Sequence, residues 1–217
     1  MFLLPGIAAA QEADDFGSWT SIQIEKSWKT AGGAAGPSVG LRGELRTKDR
    51  FGGTDIWFIR PMVGYRFNEW LKCDVAYDYC NSPAPGWVSV SESESGAGAW
   101  SLKHKFLFSA TGSLKSGPLS VSLREMYVRI LDTDKGEWSN LLRSKLSAQY
   151  SIPGYGFRPY LTIEMFTWTK WINTRHFVGC VIPVGGHCSA DLFYMYLTTA
   201  GTSQARHIAG LGINVNL

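Results

Sequence analysis

The chain has 217 residues, 45% of them hydrophobic and 18% charged, with a formal net charge of +3. That length fits one all-β domain, and so small a charge excess does not by itself imply a nucleic-acid partner. No apolar run approaches the roughly 20 residues that a membrane-crossing helix requires. A membrane-crossing barrel is still allowed, because its alternating strands leave a mean hydropathy near zero.

Residues 1–10 hold an apolar stretch, Phe2, Leu3, Leu4 and Ile7, followed by Ala8, Ala9 and Ala10 before Gln11. This reads as the end of a secretory signal peptide. The first positive residue is Lys26, so the basic segment that should precede it is missing and the signal reads as truncated. Residues 11–217 then form a single mature domain.

From there, period-two alternation recurs along the chain. A first strand is expected near 16–29. In Ser38–Lys48, Val39, Leu41, Gly43 and Leu45 share one face, opposite Arg42, Glu44, Arg46 and Lys48. A strand near 56–67 follows. Next, Cys73, Val75, Tyr77 and Tyr79 oppose Lys72, Asp74 and Asp78. Strands near 100–113 and 119–131 lead to Leu142, Leu146 and Tyr150, set against Arg143, Lys145 and Gln149. Strands near 158–168, 175–184 and 188–197 precede the last, where Ala209, Leu211, Ile213, Val215 and Leu217 alternate with polar residues and glycine. Many of these runs reach the roughly 9–11 residues a tilted strand needs to cross a bilayer, whereas globular strands average about 5–6.

The expected architecture is a transmembrane antiparallel up-and-down β-barrel. The strands count to about eleven, but single-chain bacterial barrels are normally even. Twelve strands are therefore expected, with ten as the alternative. Trp19, Trp28, Trp57, Trp100 and Trp168 lie near strand ends and Trp70 in a connection, which predicts two aromatic girdles at the membrane interfaces. The short connections 68–70, 115–118, 152–157 and 183–187 suit periplasmic turns. The longer ones, 81–99, 132–139, 170–174 and 198–204, would face outward.

Four cysteines are present. Cys73 and Cys80 stand in one strand, about 23 Å apart at about 3.3 Å per residue, and cannot bond. Cys180 and Cys188 flank a turn. They are read as apolar wall residues, with a disulfide as the open alternative.

At Leu123–Arg124–Glu125, Asn140–Tyr150 and Pro159–Phe166 the chain resembles domain-of-unknown-function family 2490. Asp15–Trp19, Lys103–Phe106 and His207–Leu217 are similar too, so the resemblance covers nearly the whole mature chain. It implies a small exported outer-membrane barrel of Bacteroidota and carries no activity or catalytic residues. The chain departs from the pattern at Met126, where a basic residue is expected, and at Leu217, where a terminal aromatic is expected.

Parity assigns the lumen a charged cluster of Arg42, Glu44, Arg46, Arg60, Arg66, Lys72, Asp74, Asp78, Lys103, Lys105, Arg124, Arg143, Lys145, Arg158, Glu164, Arg175, Asp191 and Arg206. Two outcomes follow from this inventory. An ion-paired plug is preferred, because each buried charge needs a partner to offset its desolvation. A narrow, weakly anion-favouring, porin-like pore is the alternative. A soluble lipocalin-like barrel would reverse the two faces.

A lipid hydrolase is the enzyme rival, resting on His104, His176 and His207 near the outer rim. No serine is placed beside them by spacing, so no enzyme activity is expected. Asp132, Asp134 and Gly136 miss the calcium-loop spacing and read as a plain turn. No cofactor or metal is expected. The expected location is the bacterial outer membrane. The expected partners are the lipid bilayer with lipopolysaccharide, the barrel-insertion machinery and, as an open possibility, another outer-membrane protein.

Overall fold

The computed structural model describes residues 15–30, 35–83, 100–201 and 205–217. The signal-peptide segment 1–10 and most of the 81–99 connection lie outside the described residues. Eleven strands form one closed barrel: β1 (Asp15–Ser27), β2 (Gly36–Lys48), β3 (Gly53–Arg66), β4 (Leu71–Pro83), β5 (Trp100–Ser116), β6 (Leu119–Asp132), β7 (Glu137–Tyr150), β8 (Arg158–Trp168), β9 (Lys170–Pro183), β10 (Cys188–Thr199) and β11 (Ala205–Asn216).

Each strand pairs antiparallel with its neighbour in sequence. With an odd strand number, the first and last must run in the same direction. β1 and β11 accordingly close the barrel as a parallel pair, with Asp15 opposite Arg206 and Glu25 opposite Asn216. The number falls between the twelve expected and the ten held as the alternative. The direct count of eleven needed no correction, since parallel closure makes an odd barrel geometrically possible.

The alternation becomes an inside and an outside. Along β2, Glu44 and Arg46 are buried while Val39, Leu41 and Leu45 are exposed. The outer wall carries a band of exposed apolar side chains, among them Ile22, Val63, Val75, Phe108, Leu123, Leu146, Leu161, Val178 and Leu211. Exposed aromatics border it at each rim. Tyr79, Trp100, Trp138 and Trp168 stand at the end joined by the long 84–99 connection (the long-loop end), and Trp28, Phe67, Trp70 and Tyr150 at the other, short-turn end. The other connections at the long-loop end are short, and residues 170–174, expected as a longer connection, lie within β9. Glu125 is the mid-wall exception; its carboxylate accepts a hydrogen bond from Ser144 on the neighbouring strand at 2.7 Å.

Three ladders are locally irregular, one of them between β8 and β9, where Ile172 is skipped between the Phe166–Asn173 and Thr167–Trp171 pairs. Pro61 lacks the N–H that a central strand donates, and the β3–β4 pairing is interrupted between Ile59 and Met62. Opposite Arg46 and Thr47 of β2, Asp55 is the extra residue of a bulge in β3, which bends that strand beside the β2–β3 turn. In that turn Asp49, Arg50 and Phe51 all have positive φ (53, 54 and 70°), tethered to β1 by the Arg50 N–H donating to the Phe16 carbonyl.

All four cysteines are free. Cys180 stands opposite Leu192 and Cys188 opposite Val215, so the β9–β10 register separates them by several residues and rules out the disulfide alternative.

Candidate functional site

The lumen is filled unevenly, and its contents are set by which inward position each strand offers at each height. In the half nearest the long-loop end, apolar side chains pack together among the buried Lys103, Lys105, Ser82, Ser101 and Asn173. Ile56, Phe58, Leu107, Leu141, Phe166, Met195 and Ile208 are each no more than 4% exposed. They belong to three buried clusters that together plug this end.

At mid-height the charge is organised around three carboxylates. On β2, Glu44 takes Arg42 at 2.6 Å and Arg46 at 2.5 Å, all three on one face by the two-residue period. Asp78 of β4 receives Arg60 of β3 as a two-pronged pair at 2.5 and 2.8 Å, across the ladder break at Pro61. Glu164 of β8 is shared by Arg124, Arg143 and Arg175 at 3.2, 2.8 and 3.6 Å, from β6, β7 and β9. Fork-shaped guanidinium pairing of this kind is the strong, directional form of the ion pair.

The guanidinium faces are also covered. Arg46 lies 3.8 Å from the centre of the Trp19 ring and Arg175 lies 4.9 Å from it, while Arg175 and Arg143 sit 4.1 and 4.8 Å from the Phe166 ring. Such cation–π contacts gain weight when desolvated. Trp19 is therefore a lumen residue, a correction to its expected place in the interface girdle. It shares odd-number parity with Glu25, and parity rather than nearness to a strand end decides direction.

The other lumen charges lie toward the two ends. Lys72 bridges Glu25 at 3.1 Å and Asp74 at 2.9 Å on the short-turn side, and Asp191 accepts from the Tyr160 hydroxyl at 2.9 Å. Lys103 and Lys105 are buried, the former 3.8 Å from Asp132. Arg206 pairs with Asp15 and Asp55 at 2.8 and 3.3 Å at the long-loop rim. Arg66 is exposed at the short-turn rim and Arg158 half-buried near it, so neither joins the mid-height network. Of the remaining girdle residues, Trp28, Trp70, Trp100 and Trp168 are exposed, and Trp57 is half-exposed against Tyr79.

Among the described residues, three cavities run in series from the short-turn rim. An outer one of about 720 Å³ shares Glu25 and Lys72 with a middle one of about 180 Å³. The middle one shares Arg42, Arg60 and Arg124 with an inner one of about 140 Å³. Among the described residues these cavities form a funnel that opens at the short-turn rim, with the buried apolar clusters toward its other end.

Glycine makes room along its wall. A Cβ on Gly179 would meet the Tyr160 ring at 2.6 Å and the Leu192 carbonyl at 2.8 Å. The backbone neighbour cannot swing aside, so Gly179→Ala is expected to lower stability by about 1–3 kcal/mol, read as a lower unfolding midpoint in detergent.

The three histidines named by the sequence face outward near the long-loop rim. His104 is hydrogen-bonded to Tyr77, His207 to Tyr194, and Tyr196 lies between His176 and His207. Their partners are tyrosines, as for interfacial wall residues. Residues 133–136 form a turn whose Lys135 N–H is accepted by Asp132, with Gly136 at φ 65°.

A family model described as "Protein of unknown function (DUF2490)" matches residues 16–216. The chain belongs to the DUF2490 family. The match runs from the second residue of β1 to the last of β11, so the whole closed barrel is the unit this DUF2490 member represents. No curated protein and no solved structure matches the chain.

Proposed function

We propose that this DUF2490 member is a bacterial outer-membrane barrel whose lumen is closed by its own side chains, and that its role is structural or partner-binding rather than catalytic. The polarity distribution carries the reading. Apolar residues such as Val39, Leu41 and Val63 point outward, while Glu44, Arg46, Glu164 and Arg175 are buried inside. In water, a contiguous apolar wall of this extent is an aggregation liability. In a bilayer it is the ordinary lipid-facing band, with aromatic rows at headgroup level.

Short turns face the periplasm in outer-membrane barrels. The 84–99 connection is the one much longer than the rest, and on that rule its rim faces out, the funnel opens inward to the periplasm, and the apolar plug lies toward the outer rim. Lipid and lipopolysaccharide then surround the wall, the barrel-insertion machinery places it after signal-directed export, and another outer-membrane protein is the class of partner a wall protein would dock.

A narrow anion-favouring pore is the second reading, favoured by the excess of basic groups at mid-height. It requires the plug to part. Purified protein is expected to fractionate with outer membranes, to give a β-rich circular-dichroism spectrum in detergent, and to pass no steady current in planar bilayers. Recovery as a detergent-free soluble monomer would sink the membrane reading. Steady anion-selective current abolished by Arg42→Glu with Arg46→Glu would replace the closed barrel with the pore.

A further inference from the structure

The inner cavity is where the funnel ends, and its charge is unbalanced. Seven cationic side chains line it against the carboxylates of Glu44, Glu164 and Asp191. Counting Asp78, which takes Arg60 from just outside the lining, still leaves an excess of three positive charges. Taking charge out of water without a counter-charge is among the costlier things a fold can do.

Two observations locate the unused donors. Lys145 lines the cavity with its ammonium 5.8 Å from the Phe177 ring, and no described residue offers it a hydrogen bond or ion pair. The Nε of Arg124, on the adjacent strand β6, is buried and likewise without a hydrogen-bond partner. Lys145 and Arg124 stand opposite each other in the β6–β7 register, so both unused donors belong to one patch of wall.

We propose that this dead end is an anion-binding site, and that its ligand is a phosphate group entering from the short-turn rim. The assignment of class follows from the donor set. Guanidinium forks and an ammonium suit an oxyanion with several acceptor oxygens. A phosphate group also brings about −1.5 to −2 charges, close to the excess it would meet. A monatomic ion in a cavity of about 140 Å³ has one centre to share among donors on several strands, whereas a tetrahedral oxyanion reaches more than one at once. The middle and outer cavities supply the approach, with Lys72 and Lys115 along it. Phe58 lines this cavity and Phe166 is buried nearby, and on the closed-lumen reading a captured anion is held rather than passed on.

The inference rests on the closed-lumen reading, and separate measurements test the two. Full-length protein in detergent is titrated with inorganic phosphate, and separately with glycerol 3-phosphate, at constant ionic strength against chloride. Calorimetry follows binding and the thermal unfolding midpoint follows stabilisation. Saturable one-site binding of either phosphate compound, tighter than chloride, supports the site. Binding of the ester shows that the funnel admits phosphate carried on a larger molecule; binding of inorganic phosphate alone restricts the ligand to the free ion.

Lys145→Met is expected to weaken binding by at least about tenfold, the loss of one charge-assisted contact. Without ligand it should fold at least as well as the parent, since it removes a half-buried charge that has no ion-pair partner among the described residues. Lys26→Met, on the outer wall, is expected to leave binding unchanged. Phosphate binding no tighter than chloride, or undiminished in a folded Lys145→Met protein, overturns the site. Steady bilayer conductance alongside phosphate binding would overturn closure and leave the site standing.

Discussion

Replacing Glu164 with leucine is expected to destabilise the folded barrel by about 3–5 kcal/mol, the range for breaking a buried ion pair from one side. Glu164 is 3% exposed, and Arg143 and Arg175 beside it are 8% and 2% exposed. Removing its charge leaves those two and Arg124 crowded together, in a cavity that already holds more cations than anions. Glu164→Gln keeps the shape and an accepting oxygen but loses the charge, so it should fall between the leucine variant and the parent. Urea unfolding of detergent-solubilised protein provides the readout. In a water-filled lumen the same pairs would be screened and worth only about 0–1 kcal/mol. A loss below about 1 kcal/mol would therefore show that the mid-height network is hydrated and not a seal.

Introducing arginine at Leu41 is expected to cost about 2–4 kcal/mol in a bilayer, the penalty for a lipid-facing charge near the midplane. Leu41 stands midway along β2, 49% exposed, opposite Pro61 on one side and Ile24 on the other. The outward position offers no partner and no room to reach the lumen, where Arg42 already points. If water bathed this surface, the same substitution would change stability by only a few tenths of a kcal/mol. Refolding into lipid vesicles against increasing denaturant distinguishes the outcomes, and an unchanged midpoint would remove the main support for a membrane location.

Much of the barrel was legible because alternation survives in nearly every strand. Ser38–Lys48 alone separates a lipid-like face from a charged one, and the wall repeats that arrangement. Three features were not legible, each for a different physical reason. The strand number was adjusted away from the direct count by a rule about even barrels, although nothing in β1 or β11 forbids parallel pairing. Trp19 was placed by its distance from a strand end, when its parity with Ser21, Gln23 and Glu25 turns it inward beneath Arg46. The division of the lumen into plug, network and funnel depends on relative strand heights, and one-dimensional parity carries no information about height. Parity brings Lys103 and Lys145 to the same face, but only the register places one by the plug and the other in the cavity.

The parallel seam has a practical corollary for anyone re-cutting the chain. In a barrel with an even number of strands, first and last residues meet at one rim, and a turn of a few residues could splice them. Here Asp15 stands beside Arg206 while Asn216 stands beside Glu25, ten positions further along the wall. A splice from Asn216 back to Asp15 has to climb roughly 33 Å at about 3.3 Å per residue. Circular permutants opened at the exposed Gly117 turn would need a tether of at least about ten extended residues, laid either across the apolar outer band or up through the lumen that the plug already occupies.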